Sequence, residues 1–274
     1  MSKTFSDLLV AAYNNNVGNY YAAPANQTSI SLQNQLQNTR SLAPNQAGDF
    51  RIGGPLSAKI NVSCYVCNLD GADNSYNFFS GVFADLTGDV STHIYVGGTF
   101  FDRCYLDSAS VEITPFGPIS MSAEFTCLAP PTGEYTQVSA PWSSVDNLKD
   151  HIAYGYYTQI TDGTLLSDAN RESISYKVAC GRTYSYAIGG IQASNVFLDS
   201  VEKELSIKAT DIGAFINYAS YGDIISIKPR NSLGEDMITT GLFMTSAAKI
   251  MSQNLSIQEG GNLAGDISMR EVIL

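Results

Sequence analysis

Two similar stretches decide the interpretation of this chain. Gly97–Ser108 reads GGTFFDRCYLDS, and Gly189–Ser200 reads GGIQASNVFLDS. Each stretch starts with a double glycine and ends, after six intervening residues, in an aromatic residue followed by Leu-Asp-Ser. Self-similarity of this kind is typical of duplicated structural units. The repeat signature consists of Gly97, Gly98, Tyr105, Leu106, Asp107, Ser108, Gly189, Gly190, Phe197, Leu198, Asp199 and Ser200.

The segments that precede the two copies also resemble each other. Ser57–Cys64 and Ser173–Cys180 both alternate apolar and polar residues and both end in cysteine. A period of two indicates an antiparallel strand with one buried face. We therefore predict a mainly β protein made of two tandem antiparallel β-sandwich or barrel units, with one or two short helices. A tight turn is expected at Gly181–Thr183, where the first copy carries a long loop.

The predicted organisation has three parts. Residues 1–50 form a polar arm, residues 51–140 form a first β-barrel unit with a long loop at 68–91, and residues 141–274 form a helix and a second β-barrel unit. The arm is rich in Asn, Gln and Ser, so it buries little surface by itself. It is either a solvated tail or a segment that becomes ordered against a neighbouring copy. Ser143 is placed to cap the helix, whose buried face would include Leu148 and Ile152.

The long loop is the first candidate for a binding surface. It carries apolar side chains that a lone hairpin tip could not bury, and such a loop is often functional. Residues expected to contact another subunit are Tyr76, Phe78, Phe79, Val82 and Phe83. The alternative is that the loop folds back on its own barrel.

Composition argues against several classes of function. The 274 residues include 26 acidic and 15 basic side chains, for a formal net charge of −11. DNA-binding proteins that neutralise phosphates need clustered Lys and Arg, so this chain is not expected to bind DNA. The first residues show no secretory signal, and no apolar run is long enough to cross a bilayer. We expect synthesis in a cytoplasm and no membrane anchor.

The residues that usually carry chemistry are sparse. His93 and His151 stand in unrelated contexts, and no catalytic or nucleotide-binding motif occurs. We predict no enzyme activity, no catalytic residue, no cofactor and no metal. Asp107 and Asp199 are expected to make a hydrogen bond at a turn or strand end, and the two glycine doublets to mark bulges or close backbone contacts.

Two metal hypotheses compete with structural interpretations. Cys64 and Cys67 match a C-x-x-C spacing, but the chain has five cysteines and no second pair at that spacing. Free thiols buried as small apolar side chains are the preferred interpretation. Asp70, Asp73, Asp85 and Asp89 could gather around calcium, although their spacing matches no known loop and ordinary turn residues are preferred.

Gly97–Ile113 followed by Gly117–Met121 resembles the closing hairpin of bacteriophage tail tube proteins. The resemblance implies a duplicated tail-tube-like fold and a virion protein, made in the bacterial host cytoplasm, that forms stacked rings around a DNA channel. Three duplicated chains can imitate six single ones, so rings would be trimeric or hexameric. The implied partners are other copies of the chain, other tail proteins and a sheath. DNA would pass along an acidic wall without specific binding, and the long loop would contact the adjacent ring.

Two further classes of function remain open. One is another phage virion component: a neck or baseplate ring, a capsid decoration protein or a tail fibre protein. The other is a carbohydrate-binding β-sandwich, because 16 tyrosines offer faces on which sugars can stack.

Overall fold

The computed structural model describes residues 9–14, 20–39, 49–68, 77–96, 99–129, 131, 148–161, 170–210, 225–238, 241–245, 247–257 and 263–274. Strands dominate these residues, so the predicted mainly β, antiparallel class is confirmed. The strands are β1 Leu9–Asn14, β2 Tyr20–Thr39, β3 Asp49–Tyr65, β4 Thr92–Val96, β5 Thr99–Ile113, β6 Ser120–Cys127, β7 Ala153–Thr161, β8 Asn170–Tyr186, β9 Ala193–Thr210, β10 Ile225–Asn231, β11 Leu242–Met244, β12 Lys249–Ile257 and β13 Leu263–Ile273.

The helical elements are short. Helix α1 covers Phe78–Ser80 and continues into a π-helical turn at Gly81–Asp85, and helix α2 covers Leu148–His151. The helix predicted from Ser143 is thus described only over its last turn, because residues 132–147 lie outside the described residues. Among the described residues, no helix is long and apolar enough to cross a membrane.

The first six strands close into a barrel. They pair in the order β5-β4-β1-β2-β3-β6, and β6 returns to pair with β5. The polar arm predicted for residues 1–50 is therefore wrong for its described part, because β1 and β2 are barrel strands that pair with β4 and β3 of the same chain. Closure leaves no free sheet edge within the ring of strands. The predicted alternation on β3 is confirmed, since Ala58, Ile60, Val62 and Cys64 are all buried.

The second half of the chain extends this barrel. The later part of β5 pairs with β8, from Ser108 opposite Ala179 to Ile113 opposite Ile174. The sheet then continues through β9 and β13 to β12, while β7, β10 and β11 form a separate three-stranded sheet. The strands described after residue 141 do not close into a second barrel, so a duplicated tandem unit is not confirmed.

The main hydrophobic core is shared by both halves. It joins barrel residues such as Phe101 and Phe125 to Leu205 of β9 and Met269 of β13. The apolar alternation expected on β8 is confirmed, because Ile174, Tyr176, Val178 and Cys180 are buried in the same core.

The tight turn expected at Gly181–Thr183 is wrong. These residues lie inside β8, where Gly181 pairs with Ser200 and Thr183 with Phe197. The chain reverses instead between Tyr186 and Ala193. The glycine at 181 stands at a β-bulge, an irregularity that a sequence does not readily distinguish from a turn.

Candidate functional site

The first copy of the repeat signature is a β-bulge. Leu106 pairs with Phe125 and Ser108 pairs with Glu124, so Asp107 is the extra residue on β5. The hydroxyl of Thr126 donates a hydrogen bond of 2.5 Å to the Asp107 carboxylate. Thr126 is itself the cross-strand partner of Tyr105, the aromatic residue of the signature.

The second copy builds the same bulge on β9. Leu198 pairs with Arg182 and Ser200 pairs with Gly181, which leaves Asp199 as the extra residue. Thr183, the partner of Phe197, donates a hydrogen bond of 2.6 Å to the Asp199 carboxylate. The bulged strand pairs here with the preceding strand, β8, whereas in the first copy it pairs with the following strand, β6. The repeat therefore encodes the same β-bulge in two strand pairs, β5–β6 and β8–β9.

The glycine doublets precede the two bulged strands. Gly189 has a φ of +86°, a left-handed conformation that glycine adopts without strain, and the Gly190 N–H donates to the Ala187 carbonyl at 3.0 Å. This doublet is the turn of the β8–β9 hairpin rather than a bulge. Gly97 and Gly98 lie outside the described residues, between Val96 and Thr99, which pair with each other.

The expected contact residues of the long loop require a correction. Phe78, Phe79 and Val82 are fully buried in the core of their own chain, and Phe83 packs against that core. Phe83 lies 5.1 Å from Phe79 and 5.9 Å from Tyr176 between ring centroids. These side chains are thus not available to another subunit, and the alternative interpretation, a loop folded back on the barrel, describes residues 77–90. Tyr76 lies outside the described residues.

Asn77 fixes this segment at its start. Its side-chain oxygen accepts a 2.9 Å hydrogen bond from the Phe79 N–H and so caps α1. Its amide nitrogen donates at 2.9 Å to the carbonyl of Met237, beyond β10. Asn77 therefore ties the start of the loop to the second half of the chain, while the burial of Phe78, Phe79 and Val82 holds the loop on the core.

A polar cleft lies beside the first bulge. Arg182 is buried and donates to the carbonyl oxygens of Leu106, at 3.3 Å, and Gly88, at 2.6 Å, so it joins β8 to β5 and to the loop before β4. Lys59 pairs with Glu124 at 2.5 Å on the same side of the sheet. Burial raises the pKa of Asp107, and it does so against the hydrogen bond from Thr126 and the charge of Lys59. Arg182 thus links the extension to the barrel through two backbone carbonyls, whereas the Lys59–Glu124 and Asp107–Thr126 contacts join strands within the barrel.

The two histidines lie on different elements. On β4, His93 Nδ1 lies 2.7 Å from a carboxylate oxygen of Asp102, and its ring is 5.1 Å from that of Phe100. The His93–Asp102 pair is half-exposed on the barrel and does not line the cleft beside Asp107. His151 belongs to α2. Among the described residues, no group of three or more His, Cys, Asp or Glu side chains could hold a metal ion. Asp70 and Asp73 lie outside them.

The cysteines follow the preferred interpretation only in part. Cys64, Cys67 and Cys180 are free and buried, and burial raises the pKa of the Cys67 thiol to about 12 and that of Cys180 to about 11. Cys104 and Cys127 instead form a disulfide. They face each other directly across β5 and β6, a proximity that depends on strand register and is not visible in the sequence.

The face of the sheet extension that points away from the core carries two polar rows. One row across it consists of serines on four neighbouring strands: Ser175, Ser206, Ser268 and Ser252. The next row consists of Lys177, Glu204, Arg270 and Lys249: Glu204 lies between two basic residues, whereas Arg270 and Lys249 face each other with like charge. Opposite charges on adjacent strands stabilise a sheet. The acidic wall expected of a channel is not formed by this face, because its charges are mixed.

The extension ends in an edge strand, β12. β12 pairs with β13 on one side, and no described strand pairs with its other side. Its apolar residues Met251 and Ile257 are 59% and 78% exposed. An open edge presents backbone N–H and C=O groups that another strand can use.

Further apolar surface lies at the two ends of the long strands. At the turn of the β8–β9 hairpin, Ile188 is fully exposed, with Tyr186 and Ile191 partly exposed beside it. Between β5 and β6, Phe116 is 86% exposed, and Tyr156 of the neighbouring β7 is 72% exposed.

No protein-family model matches the chain, and no curated protein matches it.

Proposed function

We propose that this chain is a structural subunit of a bacteriophage virion that self-assembles into stacked rings, and that these rings form the tail tube through which DNA passes. The observation that carries the proposal is the outer edge of β12, with which none of the described strands pairs, at the end of a sheet whose other end is closed into a barrel. Such an edge is completed when a strand of another copy pairs with it, as in a ring of identical subunits. The subunit would be made in the host cytoplasm and reside in the tail.

The charge of the chain suits a conduit. A formal charge of −11 repels DNA phosphates, so a duplex would slide past without being held. The outer face of the extension combines a row of serines with a row of three basic residues and one acidic residue, so this face does not add to the repulsion.

An edge-blocking variant tests the proposal. Lysine on an edge strand disfavours pairing with another chain, so the double variant Met251→Lys, Ile257→Lys should remain monomeric at concentrations where the wild type assembles. Leu233→Lys removes an equally exposed apolar side chain from a turn and is the matched control. Negative-stain microscopy and sedimentation report the assembly. Equal assembly of the edge variant and the wild type would remove the main support for the proposal.

The outline of the assembly separates the tube from the other virion components. Stacked hollow rings indicate a tube, isolated rings a neck or baseplate part, and extended trimers a fibre. The carbohydrate-binding alternative receives less support, because the exposed Tyr156 and Tyr157 rings meet at 85° and do not offer one flat stacking platform.

A further inference from the structure

The tip of the β8–β9 hairpin is an apolar projection. Ile188 is the first central residue of the turn that Gly189 and Gly190 complete, and its side chain is fully exposed. Polar residues, glycine and proline are the usual occupants of such turns. We call the exposed residues Tyr186, Ile188 and Ile191 the tip.

The turn between β5 and β6 carries a second apolar surface. An antiparallel bridge pairs Pro118 with Tyr154, and the Gly155 N–H donates to the Gly117 carbonyl at 3.2 Å. Phe116, one residue before Gly117, and Tyr156, one residue after Gly155, therefore lie at the same end of this strand pair. We call the exposed aromatic residues Phe116, Tyr156 and Tyr157 the end patch.

The tip and the end patch lie at opposite ends of one strand. Ile113, just before the turn of the end patch, pairs with Ile174 near the start of β8. The tip begins at Tyr186, the last residue of β8. The 14 residues from Ile174 to Ile188 (188 − 174) span roughly 45 Å at about 3.3 Å per residue. A translation along the strand direction would thus bring the tip of one copy toward the end patch of the next.

The segments that form the two surfaces carry no charged residue of their own; the neighbouring charges are Arg103, which donates to the Ala193 carbonyl opposite Tyr186, and Arg230, which pairs with Tyr154. No Asp, Glu, Lys or Arg occurs in 183–198, which includes the tip, or in 113–123 and 152–161, which include the end patch. Copies with a net charge of −11 repel one another, so uncharged apolar surfaces are where close approach costs least.

We propose that the tip of one copy packs against the end patch of a second copy, in a head-to-tail contact that stacks one ring on the next. The contact is heterologous and open, so it repeats without limit along one axis and makes a tube rather than a closed dimer. This inference rests on the proposed function, since it names the surfaces that carry stacking, but it is independent of the β12 edge that joins copies within a ring.

Cross-linking of mixed variants tests the pairing. Ile188→Cys copies are mixed with Phe116→Cys copies and treated with a short bis-maleimide. The native free thiols are buried, so wild-type protein is the labelling control. The expected result is cross-linked dimers in the mixture and none in either variant alone. Dimers in the Ile188→Cys sample alone would indicate a tip-to-tip contact and overturn the inference, as would the absence of dimers in the mixture under assembling conditions.

A charge substitution separates stacking from ring formation. Ile188→Asp should raise the critical concentration for tube growth by about tenfold or more, as expected for loss of an isoleucine from an apolar contact. Isolated rings should persist. Leu233→Asp introduces the same charge at an exposed apolar position elsewhere and should form tubes as the wild type does. Unchanged tube growth by Ile188→Asp overturns the inference and leaves the ring proposal standing. Cross-linked dimers in the mixture of the two cysteine variants, together with wild-type protein that never forms rings, would overturn the ring proposal and leave the contact standing.

Discussion

Asp107 and Asp199 occupy the same position in two copies of one β-bulge. Each is the extra residue of its strand, and each accepts a hydrogen bond from the threonine that faces the aromatic residue two positions earlier. The two sites differ in environment, because Tyr105 is buried and Phe197 is 54% exposed. The same sequence signature therefore forms one bulge where the barrel meets its extension and a second bulge in the exposed β8–β9 hairpin.

The raised pKa of Asp107 predicts a specific dependence of stability on pH. Burial raises this pKa, so the folded state favours the protonated carboxyl. The corresponding stability is fully present below the pKa of the unfolded chain, about 3.9, and is lost as the pH rises through the higher folded value. The Asp107→Asn variant stays neutral at every pH. Relative to it, the wild type should lose stability as the pH rises from the unfolded pKa of Asp107 to its higher folded pKa. Urea unfolding at several pH values measures it, and a difference independent of pH would contradict the assignment.

The contribution of Asp236 to stability should depend on pH with the opposite sign. Desolvation opposes its ionisation, but hydrogen bonds from Arg230 and Lys228 outweigh that effect and lower its pKa. Its contribution is present above the pKa of the unfolded chain and is lost as the pH falls through the lower folded value. The stability advantage of the wild type over Asp236→Asn should therefore shrink in acid. An advantage that grows below about pH 4 would refute this account.

Reduction should weaken the barrel. The Cys104–Cys127 disulfide closes a sequence separation of 23 residues across the seam of β5 and β6, and a link of this length contributes about 3 kcal/mol in the chain-entropy account. Thiol titration in denaturant should find three free thiols before reduction and five after it. Reduction should also lower the melting temperature. Five reactive thiols in the untreated protein would show that the pair is not linked.

Loss of the Asn77 side chain should loosen the loop over the core. Asn77→Ala removes the α1 cap and leaves the buried carbonyl of Met237 without its partner, at a cost of about 1–3 kcal/mol. Phe79→Ala should cost about 3–5 kcal/mol, because it opens a cavity in the core. Chemical denaturation measures both. Values near zero would place this segment outside the cooperative core.

Gly155 should tolerate no side chain. A Cβ at this position would lie 1.8 Å from the Thr114 carbonyl oxygen, so Gly155→Ala must move β7 away from the β5–β6 turn. At Gly88 the nearest atom to an added Cβ is 3.8 Å away, which makes Gly88→Ala the matched control. Gly155→Ala should lower the melting temperature and Gly88→Ala should not. Equal melting temperatures would contradict the close packing described for the end patch.

The sequence predicted what depends on local pattern. Alternation on β3 and β8 gave the buried faces correctly, and the hydrogen bonds of Asp107 and Asp199 were expected from the repeat. Features that depend on register were missed: the disulfide partners, the bulge at Gly181 and the continuity of β5 with β8. Register follows from which strands meet, and distant strands are not identified by the pattern of one segment.

The burial of Phe78, Phe79 and Val82 shows a second limit. An apolar cluster in a long insertion has the same composition whether it covers its own core or a partner. Here the cluster packs on its own core, and Asn77 fixes its start through a hydrogen bond to Met237, a residue far away in the chain. The exposed apolar surface lies instead at Ile188 and Phe116, in turns whose glycines gave no indication of it.

Cryo-electron microscopy of the concentrated wild-type protein tests the central claim most directly. We expect hollow stacked rings in which β12 of each subunit is hydrogen-bonded to a strand of its neighbour. Particles that stay monomeric at the highest attainable concentration, or an assembly in which β12 faces solvent along its whole length, would contradict it.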